Sequence, residues 1–194
     1  MRSIAKGSLL VTFGILAMAA DGAKPLRLDP LWQEPHPVAM PARAVGEGYC
    51  RIAIRPISDL RDHPELVGVL GKRKLLSPDD RVAWLGSMLS GLSARGLDLA
   101  LVAALDGASG NRNIALLSLR SAWVDYYQGG FTSVVIFDLT LPEGSTSITK
   151  TIRARATTTD FLGDIRSRAE SSFRKSVAKA LDEIAATMRS ACRQ

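Results

Sequence analysis

The sequence predicts an α+β fold, a two-layer sandwich in the order β-α-β-β-β-β-α with two helices on one face of a mostly antiparallel sheet. Three observations carry that prediction. Period-two alternation recurs in several segments between residues 50 and 158, and each has the length of a strand. Two of the joints between these segments, Gln128-Gly129-Gly130 and Pro142-Glu143-Gly144, are hairpin signals. The period then changes after Leu162, where Ile165, Ala169, Phe173, Val177, Leu181, Ile184 and Met188 step along one face of a long helix.

The first strand is written into Cys50-Arg51-Ile52-Ala53-Ile54-Arg55, where Ile52 and Ile54 alternate with the arginines. A charged turn follows, Ser58-Asp59-Leu60-Arg61-Asp62, and the chain reads as loop through Gly68 and Gly71. Ser77-Pro78-Asp79-Asp80 is a helix start: a serine cap, proline in the first turn and acids near the positive end of the dipole. Trp84, Leu85, Met88, Leu89 and Leu92 make the apolar stripe of that helix, and Arg95-Gly96 stops it. Leu97, Leu99 and Leu101 alternate into a second strand, and 106–111 is a loop.

Ile114 to Tyr127 reads as a long strand with Leu117, Leu119 and Trp123 along one side. Phe131 to Leu141 returns with Val135, Phe137 and Leu139 facing the core. Ser145 to Thr158 is rich in Thr and alternating basic residues, the chemistry of an edge strand that discourages unwanted pairing.

Composition places the chain among ordinary globular proteins, since 46% hydrophobic and 23% charged residues support a core without spanning a membrane throughout. The organisation expected is a secretory signal peptide over 1–23, a Pro-rich spacer over 24–47 and a single domain over 48–194. Arg2 and Lys6 form a positive n-region, the run from Ser8 to Ala20 is apolar, and Ala17-Met18-Ala19 offers small residues for cleavage. An uncut anchor is the competing reading. A spanning helix wants about 20 apolar residues, however, and this run is shorter. Export to the periplasm is therefore expected. The spacer contains Pro25, Pro30, Pro35, Pro37 and Pro41, a density that stiffens and extends a chain.

The formal charge of +6 includes Arg2 and Lys6, so the exported chain keeps only a mild basic excess. Basic residues on the last strand and helix lack the aromatic interleaving of a nucleic-acid groove, and no nucleic-acid partner is expected. His36 and His63 are the only histidines and have no cluster of ligating residues around them, so neither a metal nor another cofactor is expected. No serine sits in a Gly-x-Ser-x-Gly elbow. Gly68-Val69-Leu70-Gly71-Lys72-Arg73-Lys74 has the wrong spacing for a phosphate loop, and Arg73 stands where Ser or Thr should follow the lysine. With no catalytic constellation, the chain is read as no enzyme.

The remaining candidates are contacts. Lys72 and Arg73 form either a basic lip for an anionic head group or acidic patch, or a solvated loop. Asp59 and Arg61 either line a cleft or satisfy their own loop. Tyr126 and Tyr127, beside the hairpin glycines, either present a contact surface or cap the core. In an oxidising compartment Cys50 and Cys192 form a candidate disulfide, with two buried thiols as the alternative. A bridge would close a loop of about 140 residues and stabilise by about 4–5 kcal/mol if unstrained.

The leader, the Ile-x-Ile strand closing in Ser58-Asp59-Leu60-Arg61-Asp62, the Gly68 to Gly71 segment, the helix through Trp84 to Leu92 and the final Ala-rich helix together resemble the YajG-type envelope lipoproteins. The layout over residues 48–190 is also similar to the auxiliary lipoproteins of ABC-type lipid transport. It departs from them at the lipidation cysteine, because the first Cys is residue 50. The resemblance implies a non-enzymatic periplasmic component of envelope assembly or transport that meets an envelope protein partner. The other reading is a carrier that holds a lipid or anionic small molecule between helices and sheet, with Lys72 and Arg73 at its mouth.

Overall fold

The computed structural model describes residues 24–28, 51–102, 114–127, 129–143, 146–159 and 164–192. The expected leader and most of the Pro-rich stretch, including Leu31, Trp32 and His36, lie outside them, as do Cys50 and residues 106–111, expected to form a loop.

The seven expected elements form in the expected order. They are β2 (Arg51–Ile54), α1 (Arg81–Ala94), β6 (Asp98–Leu101), β7 (Ile114–Tyr127), β8 (Gly130–Glu143), β9 (Thr146–Thr158) and α2 (Ile165–Ala191). Four short strands join them: β1 (Leu26–Arg27), β3 (Ser58–Asp59), β4 (Leu66–Leu70) and β5 (Arg73–Leu76). The described strands make one mixed, nine-stranded sheet.

β7 is its spine. On one side β8 pairs antiparallel with it nearly end to end, and β9 continues antiparallel on β8 from Glu143↔Thr146 to Phe131↔Thr158. On the other side three short segments lie parallel to β7 in succession. Ala53 pairs with Ile114, Ser58 with Ser118, and Gly68 with Val124. The chain from β2 to β4 thus climbs the whole of β7 in steps, breaking its ladder at Arg55–Ile57 and again at 60–65. β4 folds back into β5, and β5 carries β1 on its outer edge.

The segment read as loop through Gly68 and Gly71 is therefore a β-hairpin. Gly68 is there because β4 approaches β7 too closely for any side chain: a Cβ would stand 2.0 Å from the Val124 carbonyl oxygen. Gly71, with φ 58°, makes the turn into β5. Leu26–Leu28, inside the Pro-rich stretch, belong to the fold as well. Leu28 is fully buried and donates its N–H to the Leu76 carbonyl at 3.0 Å.

One face of the long strands is covered. Phe131, Val135, Phe137 and Leu139 from β8 and Ile152 and Ala154 from β9 are buried with Phe173, Val177, Leu181, Ile184 and Met188 of α2. Ala169, Ser172, Ser176 and Ala180 on the same helix face are small, so the helix axis sits close to the sheet. Buried hydroxyls fasten that contact. Ser133 Oγ donates to the Ser172 carbonyl at 2.6 Å, and Ser172 Oγ to the Phe131 carbonyl at 3.0 Å. α1 leans on α2 from the same side, where Trp84 and Phe173 meet with ring centroids 5.9 Å apart. Its stripe of Trp84, Leu85, Met88, Leu89 and Leu92 is buried as the spacing predicts.

Two local expectations fail. α1 is capped by Asp80, whose carboxylate accepts from the Ala83 N–H at 2.8 Å, and not by Ser77. Trp123 does not share a face with Leu117 and Leu119. A register shift between Leu119 and Ser121 reverses the alternation, so that Ala122 and Val124 point into the core and Trp123 points out.

Candidate interaction face

The bulge in β7 builds the surface of greatest interest. Beyond it, the face of β7–β8–β9 turned away from the helices carries a row from Trp123 to Val134 to Arg155, and beside it a row from Ser121 to Ile136 to Arg153. Trp123 is 40% exposed, Val134 and Ile136 are half-buried, and both arginines are exposed. No described element lies over this face.

Its lower rows are polar and largely satisfied among themselves. Asp138 accepts from Thr151 Oγ1 at 2.7 Å and meets Arg120 at 3.5 Å. Thr140 pairs with Thr149 at 2.8 Å, hydroxyl to hydroxyl, and on the other side of the Trp123 row, toward the β7–β8 turn, Thr132 pairs with Thr157 at 3.1 Å in the same way. Arg153 and Arg155 differ from Arg120 in having no acidic partner among the described residues. The result is a patch on a paired sheet with an indole, two branched aliphatic side chains and two guanidiniums without an acidic partner among the described residues. Such a patch can hold an apolar and acidic partner by contact. Sequence reading missed Trp123, Arg153 and Arg155 as contact residues. The alternation of basic residues in β9 was visible, but the bulge that brings Trp123 beside it was not.

Asp59 and Arg61 are brought together, as a fastener. The Arg61 guanidinium is buried and spends all five N–H groups inside the chain. Nε and one Nη2 bond reach the two Asp59 oxygens at 2.8 and 2.7 Å. The others go to the Pro64 carbonyl at 2.6 Å, the Leu66 carbonyl at 3.0 Å and Ser77 Oγ at 3.3 Å. The guanidinium also lies 5.2 Å from the centre of the Trp84 ring. Ser77, read as a helix cap, serves here, donating to the Pro64 carbonyl at 2.7 Å. Arg61 has no donor left for a ligand. It ties β3, the 60–65 loop, the start of β4, the end of β5 and α1 into one block.

Lys72 and Arg73 lie at the β4–β5 turn, and Tyr126 lies near the β7–β8 turn. The parallel register Val69↔Asp125 carries both turns to the same end of the sheet, so these candidates share a rim. Tyr126 is 44% exposed, and its ring centroid stands 5.1 Å from that of buried Phe131. Arg168 braces the turn from α2, donating to the Gly129 carbonyl at 2.9 Å with its guanidinium 5.4 Å from the Phe131 ring centre. Tyr127 pairs through its backbone with Gly130, and its side chain lies outside the description. Cys192 caps the end of α2. Among the described residues no three of His, Cys, Asp and Glu are placed to hold a metal ion.

No family model matches this chain, and no curated protein matches it. Solved structures align with this chain at low identity. An uncharacterized protein aligns with a TM-score of 0.45 and 11% identity, covering 71% of this chain and 91% of its own. A hypothetical protein from Chlamydia trachomatis aligns with a TM-score of 0.41 and 9% identity, covering 72% of this chain and 98% of its own. A lipoprotein from Neisseria meningitidis aligns with a TM-score of 0.34 and 13% identity, covering 70% of this chain and 97% of its own.

Proposed function

We propose that this chain is a non-enzymatic accessory protein of the cell envelope, exported to the periplasm, that acts by holding a protein partner on the open face of its sheet. One observation carries the proposal: Trp123, Val134 and Ile136 stand uncovered beside Arg153 and Arg155, two arginines with no acid of their own among the described residues, on strands whose other face at these positions packs against α2. Exposed apolar groups rimmed by charge on a rigid scaffold are what a docking surface requires. The leader-like N-terminus and the likeness of the layout to YajG-type lipoproteins support the periplasmic compartment in this reading. The carrier reading is favoured by no comparable feature. The helix–sheet interface is filled by Phe131, Phe137, Leu139, Phe173 and Leu181, each 1% exposed or less. Lys72 and Arg73 sit on a hairpin rim of the sheet.

The test is site-directed photocrosslinking in cells, with a photoreactive residue at position 123 or, as a control, at Val82, which is 84% exposed on α1. Position 123 should give one discrete adduct in the envelope fraction that position 82 does not. Equal adducts from both positions, or full-length protein with its leader intact in the cytosol, would overturn the reading.

A further inference from the structure

We infer that the free edge of β9 accepts an extended acidic segment of a partner polypeptide as one more strand, whose alternate carboxylates meet Arg153 and Arg155. This rests on the open face being the contact surface proposed above, and names what that surface recognises.

Three observations lead there. β9 is a long strand paired on one side only, with β8, and no described strand lies along its other edge. Arg153 and Arg155 stand two residues apart on the same face of that strand, exposed and without an acidic partner among the described residues. Their separation along the strand is therefore one pleat period, about 6.6–6.8 Å. An incoming strand sets its own side chains at the same period about 4.8 Å away, so every second residue becomes a cross-strand neighbour of an arginine. Carboxylates in that series would neutralise both guanidiniums at once. An α-helix brings residues i and i+4 about 6 Å apart, near the same spacing, but its backbone N–H and C=O groups are paired within the helix and cannot extend the ladder of β9.

The edge is open to such an exchange. The Arg155 carbonyl receives Lys179 Nζ at 3.2 Å, an exposed side-chain bond that a backbone N–H can replace. The other edge lysine, Lys150, is already occupied by Glu183 at 3.2 Å and Thr187 at 3.1 Å. In-register pairing with the β9 of a second copy is disfavoured, because it would lay arginine against arginine, whereas an acidic strand is attracted to both.

The experiment titrates the full exported chain with a fluorescent peptide of alternating Glu and Val. Parallel titrations use the same peptide with Gln for Glu, the same peptide N-methylated along one edge, and vesicles containing anionic lipid. The acidic peptide should bind saturably and protect β9 amides from hydrogen exchange. The Gln and N-methylated forms should each bind at least about tenfold more weakly. The doubly reversed variant Arg153→Glu, Arg155→Glu changes only exposed side chains and should keep the same melting temperature. It should lose the Glu peptide and gain a Lys–Val one. Equal binding of the Gln peptide, equal binding of the N-methylated peptide, retention by the reversed variant, self-association that excludes the peptide, or binding to vesicles alone would each overturn the inference. If the crosslink from position 123 persists while the peptide fails, the added strand falls and the contact function stands.

Discussion

At residue scale, the decisive distinction is between arginines the fold has used and arginines it has left. Arg61 and Asp59 have side chains only 4% and 13% exposed, and every donor on the guanidinium has a partner. A buried charge in that state is costly to orphan. Arg61→Ala should lower stability by about 3–5 kcal/mol, leaving the buried Asp59 carboxylate without its counter-charge and the Leu66 carbonyl without the guanidinium. Arg61→Lys should recover little, because a point charge with three donors cannot reproduce a planar fork with five. Arg120→Ala removes a pair in which the arginine is 52% exposed and the contact is 3.5 Å, and should cost less than about 1 kcal/mol. Urea denaturation of the three variants reads the contrast, and a similar loss for Arg61→Ala and Arg120→Ala would show that the loop is not held by this fork. The same scale shows what a one-dimensional pattern hides. Asp59 and Arg61 were visible as a charged turn, but the carbonyls that consume Arg61 come from Pro64 and Leu66, with Ser77 arriving from beyond a hairpin. Gly68 looked like punctuation because its constraint is a backbone in another strand, Val124.

At the scale of elements, length and repetition decided what could be read. α2, β8 and β9 each repeat their pattern over three or more periods, and their bounds and buried faces follow the spacing. Short strands such as β3, with two residues, contain no period at all and exist only because β7 offers them a ladder. The bulge in β7 is a third case: alternation is legible on each side of it, but the phase slip between Leu119 and Ser121 is not. Capping is local enough to be tested alone. Asp164 accepts the Ser167 N–H at 2.9 Å and its hydroxyl at 3.1 Å, and these bonds, the backbone one first, hold its carboxyl below the ordinary 3.8. A depressed carboxylate pKa contributes stability above the unfolded value, and that contribution fades as pH falls through the lowered folded one. The first turn of α2 should therefore loosen only below the usual aspartate range. In Asp164→Asn, whose amide oxygen caps without titrating, the Ser167 amide shift should stay flat through the same acid titration. Parallel NMR titrations separate the two, and a shift that moves equally in both proteins would remove Asp164 as the cause.

For the whole molecule, the question is how the two ends of the domain are joined. Arg51, the residue after Cys50, pairs with Asp98 at the start of β6. That strand begins just past the end of α1, where the Arg95 carbonyl receives Arg189 Nη1 at 2.9 Å from the last turn of α2. Cys192 follows within a turn, so the described residues bring the flanks of both cysteines to one corner, and no free cysteine is found among them. A covalent link there would clamp the opening strand to the closing helix and restrict about 140 residues of unfolded chain. Protein taken from the periplasm should resist thiol alkylation and have the mass of the oxidised form. Reduction should lower its melting temperature by about 10 °C or more, the shift expected of about 4–5 kcal/mol in a domain of this size. Cys192→Ser should melt with the reduced protein and gain nothing from oxidant. A chain that alkylates at both thiols without denaturant would remove the clamp and leave the N-terminal leader as the reason for placing this fold in an oxidising compartment.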